Sequence, residues 1–414
     1  MHQQKRQTRW LTAMIMFLGI SVYAQSNING DLSKPASQLN YIAVGSSLSA
    51  GVSNSGLTSE SQKSAFPNLI ATQMKLTNFM QDLLDDSVSI GTEKVDYRGG
   101  VLRFIDTATP SGKVSRLPKA KEDVSNFAIP FLKISNILVN ETMEGSFLPS
   151  FERKSYNHIY RFTDQQGEGK VSYLDIIDKR VKNVDFFTFE IGMHDLVSYY
   201  KSGGQGQPIS LLTNEREGYF PENYLIQLLT SRGARGVMAN VPDVLEFPFF
   251  RSYGYDEMKT KVGEEIYTEF NGKLQVRKAH SGDCFIPNSN TSLLFTSVGS
   301  IGRSREEPLS DEDVIGTEEQ VDVRKYNSWL GVIADLNNIP LVDLHKLYSQ
   351  ILSGTYVSED GVKIDPSYPA GNFFSNDGIH PTKIGQAVIA NEFIKSINVF
   401  YHANIPLVKI KDIK

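Results

Sequence analysis

The chain has 414 residues, of which 40% are hydrophobic and 21% are charged, so it can bury a real core and is not disordered by composition. Its formal net charge of −5, without a long basic face, argues against nucleic-acid binding, which depends on Lys and Arg contacts to phosphate. Cys284 is the single cysteine, which excludes an internal disulfide, and we interpret it as a small buried hydrophobic residue.

The first 24 residues have the pattern of a secretory signal peptide. A positively charged start is followed by an apolar, uncharged run from Trp10 to Val22 and by a cleavage site that ends at Ala24. The run is shorter than the roughly 20 residues that span a bilayer, so a stable transmembrane anchor is not expected. We predict cleavage after Ala24, which would leave a more acidic mature chain.

After a polar leader over residues 25–39, short apolar runs alternate with helical patterns. The runs are short enough and rich enough in β-branched or aromatic residues to be buried strands. Strands are predicted at Tyr41–Val44, Val124–Ile129, Val184–Ile191, Gly236–Val241 and Ile339–Leu344. Helices are predicted at Ala65–Met80, Tyr219–Ser231, Glu318–Leu336 and Ile384–Ile397. This alternation indicates an α/β fold with a parallel sheet covered on both faces.

The chain contains no internal repeat and no linker that would divide it. We therefore predict one domain over residues 40–405, followed by a tail over residues 406–414. Polar and mixed stretches predict insertions around residues 81–122 and 199–313. Within the second insertion, three stretches rich in Gly, Pro and charge are interpreted as loops: Tyr199–Gly218, Phe247–Pro287 and Arg303–Asp313.

The first of three motifs at predicted strand ends is Gly-Ser-Ser-Leu-Ser-Ala-Gly, residues 45–51. In an open parallel sheet, ligands bind at the carboxyl ends of the strands. A tight turn here would expose the Ser47 hydroxyl at a helix N-terminus, which favours developing negative charge. Considered alone, such serines more often cap a helix than act as nucleophiles.

The second motif is Gly-Met-His-Asp, residues 192–195, directly after the third predicted strand. A side-chain hydrogen-bond donor at this strand end could face an oxyanion that forms above Ser47. The alternative is a helix cap, in which Asp195 starts a helix at Leu196.

The third motif is Asn-Asp-Gly-Ile-His-Pro, residues 376–381, just before the closing helix. Asp377 and His380 lie three residues apart in a loop bracketed by Gly and Pro, so their side chains can form a direct hydrogen bond. In a catalytic triad such a carboxylate fixes the imidazole tautomer and stabilises the imidazolium. The alternative is a loop turn that carries one of the seven histidines at the surface.

The order of these motifs resembles that of the SGNH, or GDSL-type, esterases and lipases, and specifically their exported bacterial branch. Residues 43–51 resemble the block that holds the nucleophile, and residues 126–130 resemble the second block. Residues 192–195 resemble the Gly-x-Asn-Asp block, and residues 377–381 match the Asp-x-x-His block. The resemblance extends over nearly the whole mature chain, from about residue 41 to about 405.

The resemblance implies a three-layer α/β/α sandwich with a flavodoxin-like parallel sheet. It also implies hydrolysis of carboxylic esters through an acyl-enzyme, without a metal or cofactor. Ser47 would be the nucleophile, His380 its general base and Asp377 the residue that orients His380. The backbone N–H groups of Ser47 and Phe131 and the side chain of His194 would form the oxyanion hole.

Three positions depart from the family pattern. Ser46 replaces the usual Asp of the first block, which lies outside the triad. Phe131 replaces a second-block Gly, and its Cβ disfavours the positive φ that Gly adopts freely. His194 replaces the Asn of the third block, although a histidine can still donate one hydrogen bond. These departures motivate an alternative, a catalytically weak or inactive protein of the same fold that binds a glycan or a lipid.

The expected substrate is a small-molecule ester, a lipid or an acylated glycan. After export, the protein is expected to be periplasmic, associated with the outer membrane or secreted, in a Gram-negative bacterium. Hydride or phosphoryl transfer is not expected, because the first strand is followed neither by Gly-x-Gly-x-x-Gly nor by a Gly-Lys-Ser/Thr loop.

Overall fold

A parallel four-stranded sheet lies at the centre of the computed structural model, which describes residues 32–84, 93–98, 101–106, 123–138, 172–205, 220–270, 275–295 and 300–413. The described strands are β1 (Tyr41–Gly45), β2 (Glu93–Arg98), β3 (Val101–Asp106), β4 (Phe186–Glu190), β5 (Arg235–Ala239), β6 (Tyr267–Phe270), β7 (Gln275–Lys278), β8 (Cys284–Phe285), β9 (Val314–Ile315) and β10 (Leu341–Val342). The described α-helices are α1 (Ser47–Ala50), α2 (Ser59–Lys63), α3 (Phe66–Gln73), α4 (Tyr173–Arg180), α5 (Met193–Lys201), α6 (Pro221–Ser231), α7 (Pro248–Arg251), α8 (Tyr255–Val262), α9 (Ser289–Leu293), α10 (Val323–Leu336), α11 (Leu344–Leu352) and α12 (Lys383–Tyr401).

The strand order in the central sheet is β1-β4-β5-β10, and every neighbouring pair is parallel. Gly45 pairs with Glu190, so β1 and β4 end at the same level of the sheet. All residues of β1 and β4 are buried, as expected for parallel strands covered by helices on both faces. The α/β fold predicted from the sequence is therefore confirmed.

The segment predicted as a strand at Val124–Ile129 forms one isolated bridge to β1 instead of a regular strand. Ala43 pairs in parallel with Asn126. The next bond of the ladder is replaced by the Tyr173 hydroxyl, which accepts the Gly45 N–H at 3.3 Å and donates to the Phe127 carbonyl at 2.9 Å. The segment still runs along the free edge of β1, where the second strand of a flavodoxin-like order would lie.

The other predicted strands of the sheet are present with shifted ends, as are the predicted helices. The helix predicted over Ala65–Met80 ends at Gln73, because Lys75 adopts a left-handed conformation with φ of 60°. The helix predicted over Glu318–Leu336 begins at Val323, where the Asp322 side chain caps the first turn. The closing helix is longer than predicted and extends to Tyr401.

Aromatic and polar contacts join the helices that cover the sheet. Phe66 of α3 stacks on Phe393 of α12, with ring centroids 4.5 Å apart. Tyr326 of α10 donates a hydrogen bond to the buried carboxylate of Glu222 in α6. The predicted three-layer arrangement follows, with helices flanking a parallel sheet.

The stretch Phe247–Pro287, predicted as a loop, contains α7, α8 and three short strands. A second hydrophobic cluster explains this difference, because it gives the short elements an apolar core of their own. Its buried members are Tyr253, Met258, Ile266, Ala279, Phe285, Leu294, Leu309 and Val314. Cys284 is buried beside this cluster, as predicted, and its thiol donates to the Phe250 carbonyl at 2.6 Å.

Several predictions fall on residues outside the described ranges. The predicted signal peptide, residues 1–24, lies wholly outside them, as do residues 25–31 of the polar leader and much of the insertion at residues 81–122. The part of that insertion within the described ranges includes the antiparallel pair β2 and β3. In the portion of the chain that is described, no helix is both long enough and apolar enough to cross a membrane.

Candidate active site

The chain turns sharply between β1 and α1, and this turn presents Ser47 as the first residue of the helix. Gly45 permits the turn, since a Cβ there would lie 2.9 Å from the carbonyl oxygen of Glu190. Gly51 ends the short helix in a left-handed conformation with φ of 85°. Ser47 is thus located at the carboxyl end of the sheet and at a helix N-terminus, as the first motif predicted.

Hydrogen bonds join the segment over residues 126–132 to the turn and helix that carry Ser47. The Asn126 side chain donates to the Ser49 carbonyl at 2.9 Å, and the Ser46 hydroxyl donates to the Leu132 carbonyl at 2.9 Å. Between these two anchors, the backbone N–H of Phe131 donates to Ser47 Oγ at 2.9 Å. The structure therefore brings a predicted oxyanion-hole donor directly to the predicted nucleophile.

Phe131 adopts φ of 62°, in the left-handed region that side chains with a Cβ rarely occupy. From the sequence, the Cβ of Phe131 is expected to disfavour this conformation, and the residue adopts it nevertheless. Local backbone strain of this kind typically costs about 1–3 kcal/mol and persists only where the surroundings enforce it. The anchors on either side of Phe131 supply that enforcement.

Asp377 and His380 are joined as predicted, with Asp377 Oδ2 located 2.7 Å from His380 Nδ1. Asp377 is fully buried and accepts the backbone N–H groups of Ile379 and His380, both at 2.8 Å. The Ser375 hydroxyl donates at 3.1 Å, and Ser55 donates its backbone N–H to the same carboxylate. The surface-loop alternative for His380 is wrong, because its side chain is buried.

The environment of Asp377 keeps this carboxylate ionised. Burial by itself would raise the pKa of Asp377, but the charge of His380 and the hydrogen bonds hold it well below its usual range. An ionised partner on Nδ1 leaves Nε2 as the nitrogen that is free to accept a proton from a nucleophile.

No hydrogen bond joins His380 to Ser47 in this structure. His380 Nε2 is buried and has no hydrogen-bond partner among the described residues. Ser47 Oγ instead accepts the N–H of Phe131. Catalytic hydrogen bonds are often long or poorly aligned in unliganded sites and tighten when substrate binds. The structure thus brings Asp377 to His380 and Phe131 to Ser47, and leaves the link between the two halves open.

His194 lies in the first turn of α5 and is buried. Its ring is 5.0 Å from the ring of Phe131, and neither ring nitrogen has a partner among the described residues. Burial, followed by the positive charges of Lys133, His380 and Lys201, lowers the pKa of His194 well below its usual range. The ring is therefore neutral near pH 7 and carries one N–H that no described residue accepts.

A GDSL-like lipase/acylhydrolase family model matches residues 41–393 of the chain. The chain belongs to this family. The match extends across all three motifs, and no curated protein matches the chain significantly. Membership of the GDSL-like family confirms the resemblance and the fold inferred from the sequence, and it supports hydrolase activity of the acylhydrolase or esterase type.

Sequence reasoning missed Glu190, the last residue of β4. Its buried carboxylate accepts the backbone N–H groups of Ser46 at 3.3 Å and Ser49 at 3.1 Å, and the Ser49 hydroxyl at 3.1 Å. Glu190 therefore holds the turn that carries the predicted nucleophile of this GDSL-like protein. Burial raises the pKa of Glu190 to about 7. One signal was available, since a carboxyl group at the end of a wholly buried strand needs a buried partner.

Asp195 supports the oxyanion side of the site. The helix begins at Met193 and not at Leu196, so the helix-cap interpretation of Asp195 is wrong in register. Both carboxylate oxygens of Asp195 accept the Ile134 N–H at 3.1 Å, just beyond Phe131. This contact joins two chain segments and could not be read from the spacing of residues within one motif.

Proposed function

We propose that this protein is a serine esterase that hydrolyses carboxylic esters through an acyl-enzyme on Ser47. The observation that carries the proposal is the pairing of Asp377 with His380 in a buried loop whose backbone N–H groups also donate to the carboxylate. A buried imidazole with one nitrogen held by an ionised carboxylate and the other unpartnered is suited to act as a general base.

The reaction would proceed in two steps. Ser47 Oγ attacks the ester carbonyl carbon while its proton passes to His380 Nε2, and Asp377 stabilises the imidazolium. The tetrahedral intermediate collapses as the C–O bond to the alcohol breaks, and His380 returns its proton to the departing alcohol. Water then attacks the acyl-enzyme with His380 again as base, which releases the acid and regenerates Ser47.

The oxyanion of the tetrahedral intermediate would be stabilised by the N–H groups of Ser47 and Phe131 and by the ring of His194. The Phe131 N–H bond to Ser47 Oγ supports its part, because it aims this donor at the reacting centre. The neutral ring of His194 has one N–H available, which supports a donor role in place of the usual amide.

We also propose that the protein is exported and acts on a small-molecule ester, a lipid or an acylated glycan outside the cytoplasm. The charged start, apolar run and small-residue cleavage site of residues 1–24 support export. Mass spectrometry of the native protein should find a mature N-terminus at or near Gln25. An intact segment from Met1 to Ala24 would contradict export.

A second candidate function is that of a weak or inactive protein of this fold that binds a glycan or lipid. The observation in its favour is the absent hydrogen bond between His380 Nε2 and Ser47 Oγ among the described residues. The replacement of two family donors by Phe131 and His194 points the same way.

A covalent serine-hydrolase probe distinguishes the two candidates. We expect a fluorophosphonate probe to label Ser47 and the Ser47→Ala variant to lose about 10⁶-fold in kcat on p-nitrophenyl esters while remaining folded. Ser46→Ala tests the register: it removes the hydroxyl that anchors Leu132 next to Phe131, so activity should fall only in part and the probe should still label Ser47. No labelling together with tight glycan or lipid binding would favour the binding protein. An inactive Ser46→Ala beside an active Ser47→Ala would move the nucleophile by one residue.

A further inference from the structure

The side chain of Phe131 contacts both histidines of the site. Its ring centroid lies 5.0 Å from that of His194 and 6.0 Å from that of His380, in an edge-on orientation to the latter. Its own backbone N–H is bonded to Ser47 Oγ. One residue therefore places a donor at the nucleophile and a large apolar ring beside the proposed base.

The reacting groups are closed off in this structure. The exposed fraction is 0% for Ser47, 2% for His380, 3% for His194 and 6% for Phe131. An ester cannot reach Ser47 until some side chain moves, and the Phe131 ring is the apolar group shown to contact both histidines. The ring thus occupies space next to the nucleophile that part of a substrate would need.

The surroundings of the ring are apolar and belong to the segment that follows the nucleophile. Phe131 packs in a buried cluster with Ala50, Val52, Leu57 and Leu84. An apolar lining suits an acyl chain. The alcohol must leave toward His380 Nε2, where it is protonated, and the Phe131 ring lies nearer to His194, at 5.0 Å, than to His380, at 6.0 Å.

The backbone conformation at position 131 does not favour Phe. At φ of 62° glycine would be unstrained, whereas Phe is strained. Strained positions cluster at ligand clamps and active sites, where the side chain has a use.

We propose that the Phe131 ring determines acyl-chain specificity by filling the space where a long acyl group would lie, so that the protein prefers short acyl groups such as acetyl. This inference rests on the proposed function, because it requires Ser47 to form an acyl-enzyme. It identifies esters of short-chain acids as the substrate class of the same site.

The experiment compares p-nitrophenyl acetate with p-nitrophenyl octanoate, which share a leaving group and differ only in the acyl chain. The mature wild type should have a kcat/KM at least about tenfold higher for acetate. Phe131→Gly and Phe131→Ala should each raise the octanoate-to-acetate ratio of kcat/KM by at least about tenfold. Glycine suits the positive φ, so Phe131→Gly retains the fold even if Phe131→Ala does not.

Two comparisons separate the ring from other effects. If the octanoate-to-acetate ratio rises equally in the Phe131→Gly and Phe131→Ala variants, the rise is due to loss of the ring. If the ratio rises in Phe131→Gly but not in a folded Phe131→Ala variant, the rise is due to the backbone, and the inference is overturned. Ile137→Ala removes buried apolar surface from the same segment, outside the site, and should lower the melting temperature without changing the ratio.

Fluorophosphonate labelling separates failure of this inference from failure of the proposed function. Labelled Ser47 with an unchanged ratio in the Phe131→Gly variant would overturn acyl selection by the ring and leave the esterase assignment intact. Absence of both labelling and turnover in wild type and variants would overturn the esterase assignment, and the inference with it.

Discussion

The two sides of the candidate site are built differently. On the base side, Asp377 accepts hydrogen bonds from residues of its own loop and from Ser55, and it holds His380 at 2.7 Å. On the oxyanion side, His194 has two ring nitrogens without partners among the described residues, and Phe131 is strained. On the side that matches the family motif, the Asp377 carboxylate is held by several hydrogen bonds, whereas on the side that departs from it the His194 ring has none among the described residues.

The two sides also differ in which contacts hold their side chains in place before substrate binds. A carboxylate held by several fixed donors loses little orientational freedom when the imidazolium forms, so the base side is ready before substrate arrives. The oxyanion side depends on contacts between distant segments, such as the bond from Ile134 to Asp195. Substitutions on that side should therefore change the rate less than substitutions on the base side, and they should change the selectivity for the acyl group.

The largest effect within the comparison is expected for Asp377→Asn. The amide can no longer fix the productive tautomer of His380, so kcat should fall by about 10⁴-fold. Its NH2 group cannot accept the hydrogen bonds that the buried carboxylate accepts, so the melting temperature should fall as well. Steady-state kinetics and a thermal melt measure both quantities. Dialysis against EDTA should leave wild-type activity unchanged. Activity that disappears with EDTA and returns with a divalent ion would show that Asp377 has another role.

A smaller effect is expected on the oxyanion side. His194→Ala should lower kcat by about 10²–10³-fold, or about 2.7–4 kcal/mol, with little change in KM, because the lost donor acts mainly in the transition state. His194→Asn restores the donor usual in the family and should match or exceed wild type. If both variants shift only the melting temperature and kcat stays within a few-fold, His194 is a packing residue and the oxyanion role fails.

The smallest effect is expected for the free energy of unfolding and depends on the carboxyl group of Glu190, which bonds the turn between β1 and α1. Folding raises the pKa of Glu190 from an ordinary 4.5 to about 7, so the folded protein retains a proton that the unfolded chain has released. Stability should therefore fall as pH rises from about 4.5 to about 7. Glu190→Gln cannot ionise and should show a shallower fall.

Denaturant unfolding of wild type and Glu190→Gln at several pH values measures this slope. Asp195 has a pKa that burial also raises to about 7, so part of the slope should remain in the variant. An unchanged slope would mean that the Glu190 carboxyl does not titrate in this window.

Much of the fold could be predicted because its signals are local. The apolar composition of runs such as Tyr41–Gly45 predicts buried parallel strands. Their alternation with helices predicts the sheet. The segment over Val124–Ile129 has a similar composition, but the hydroxyl of Tyr173, from a distant part of the chain, lies between the Gly45 N–H and the Phe127 carbonyl and interrupts the ladder. The secondary structure within Phe247–Pro287 was missed because its apolar core is assembled from residues far apart in the chain.

By itself, the sequence determined the fold class, the turn that presents Ser47 and the pairing of Asp377 with His380, because strand composition, a glycine turn and a three-residue spacing act within a few residues of chain. Only the tertiary structure decided which N–H reaches Ser47, that Glu190 holds the nucleophile turn and that the Phe131 ring contacts both histidines. The physical reason is that these contacts join segments whose relative positions are set by packing against the sheet, and no local pattern encodes that packing.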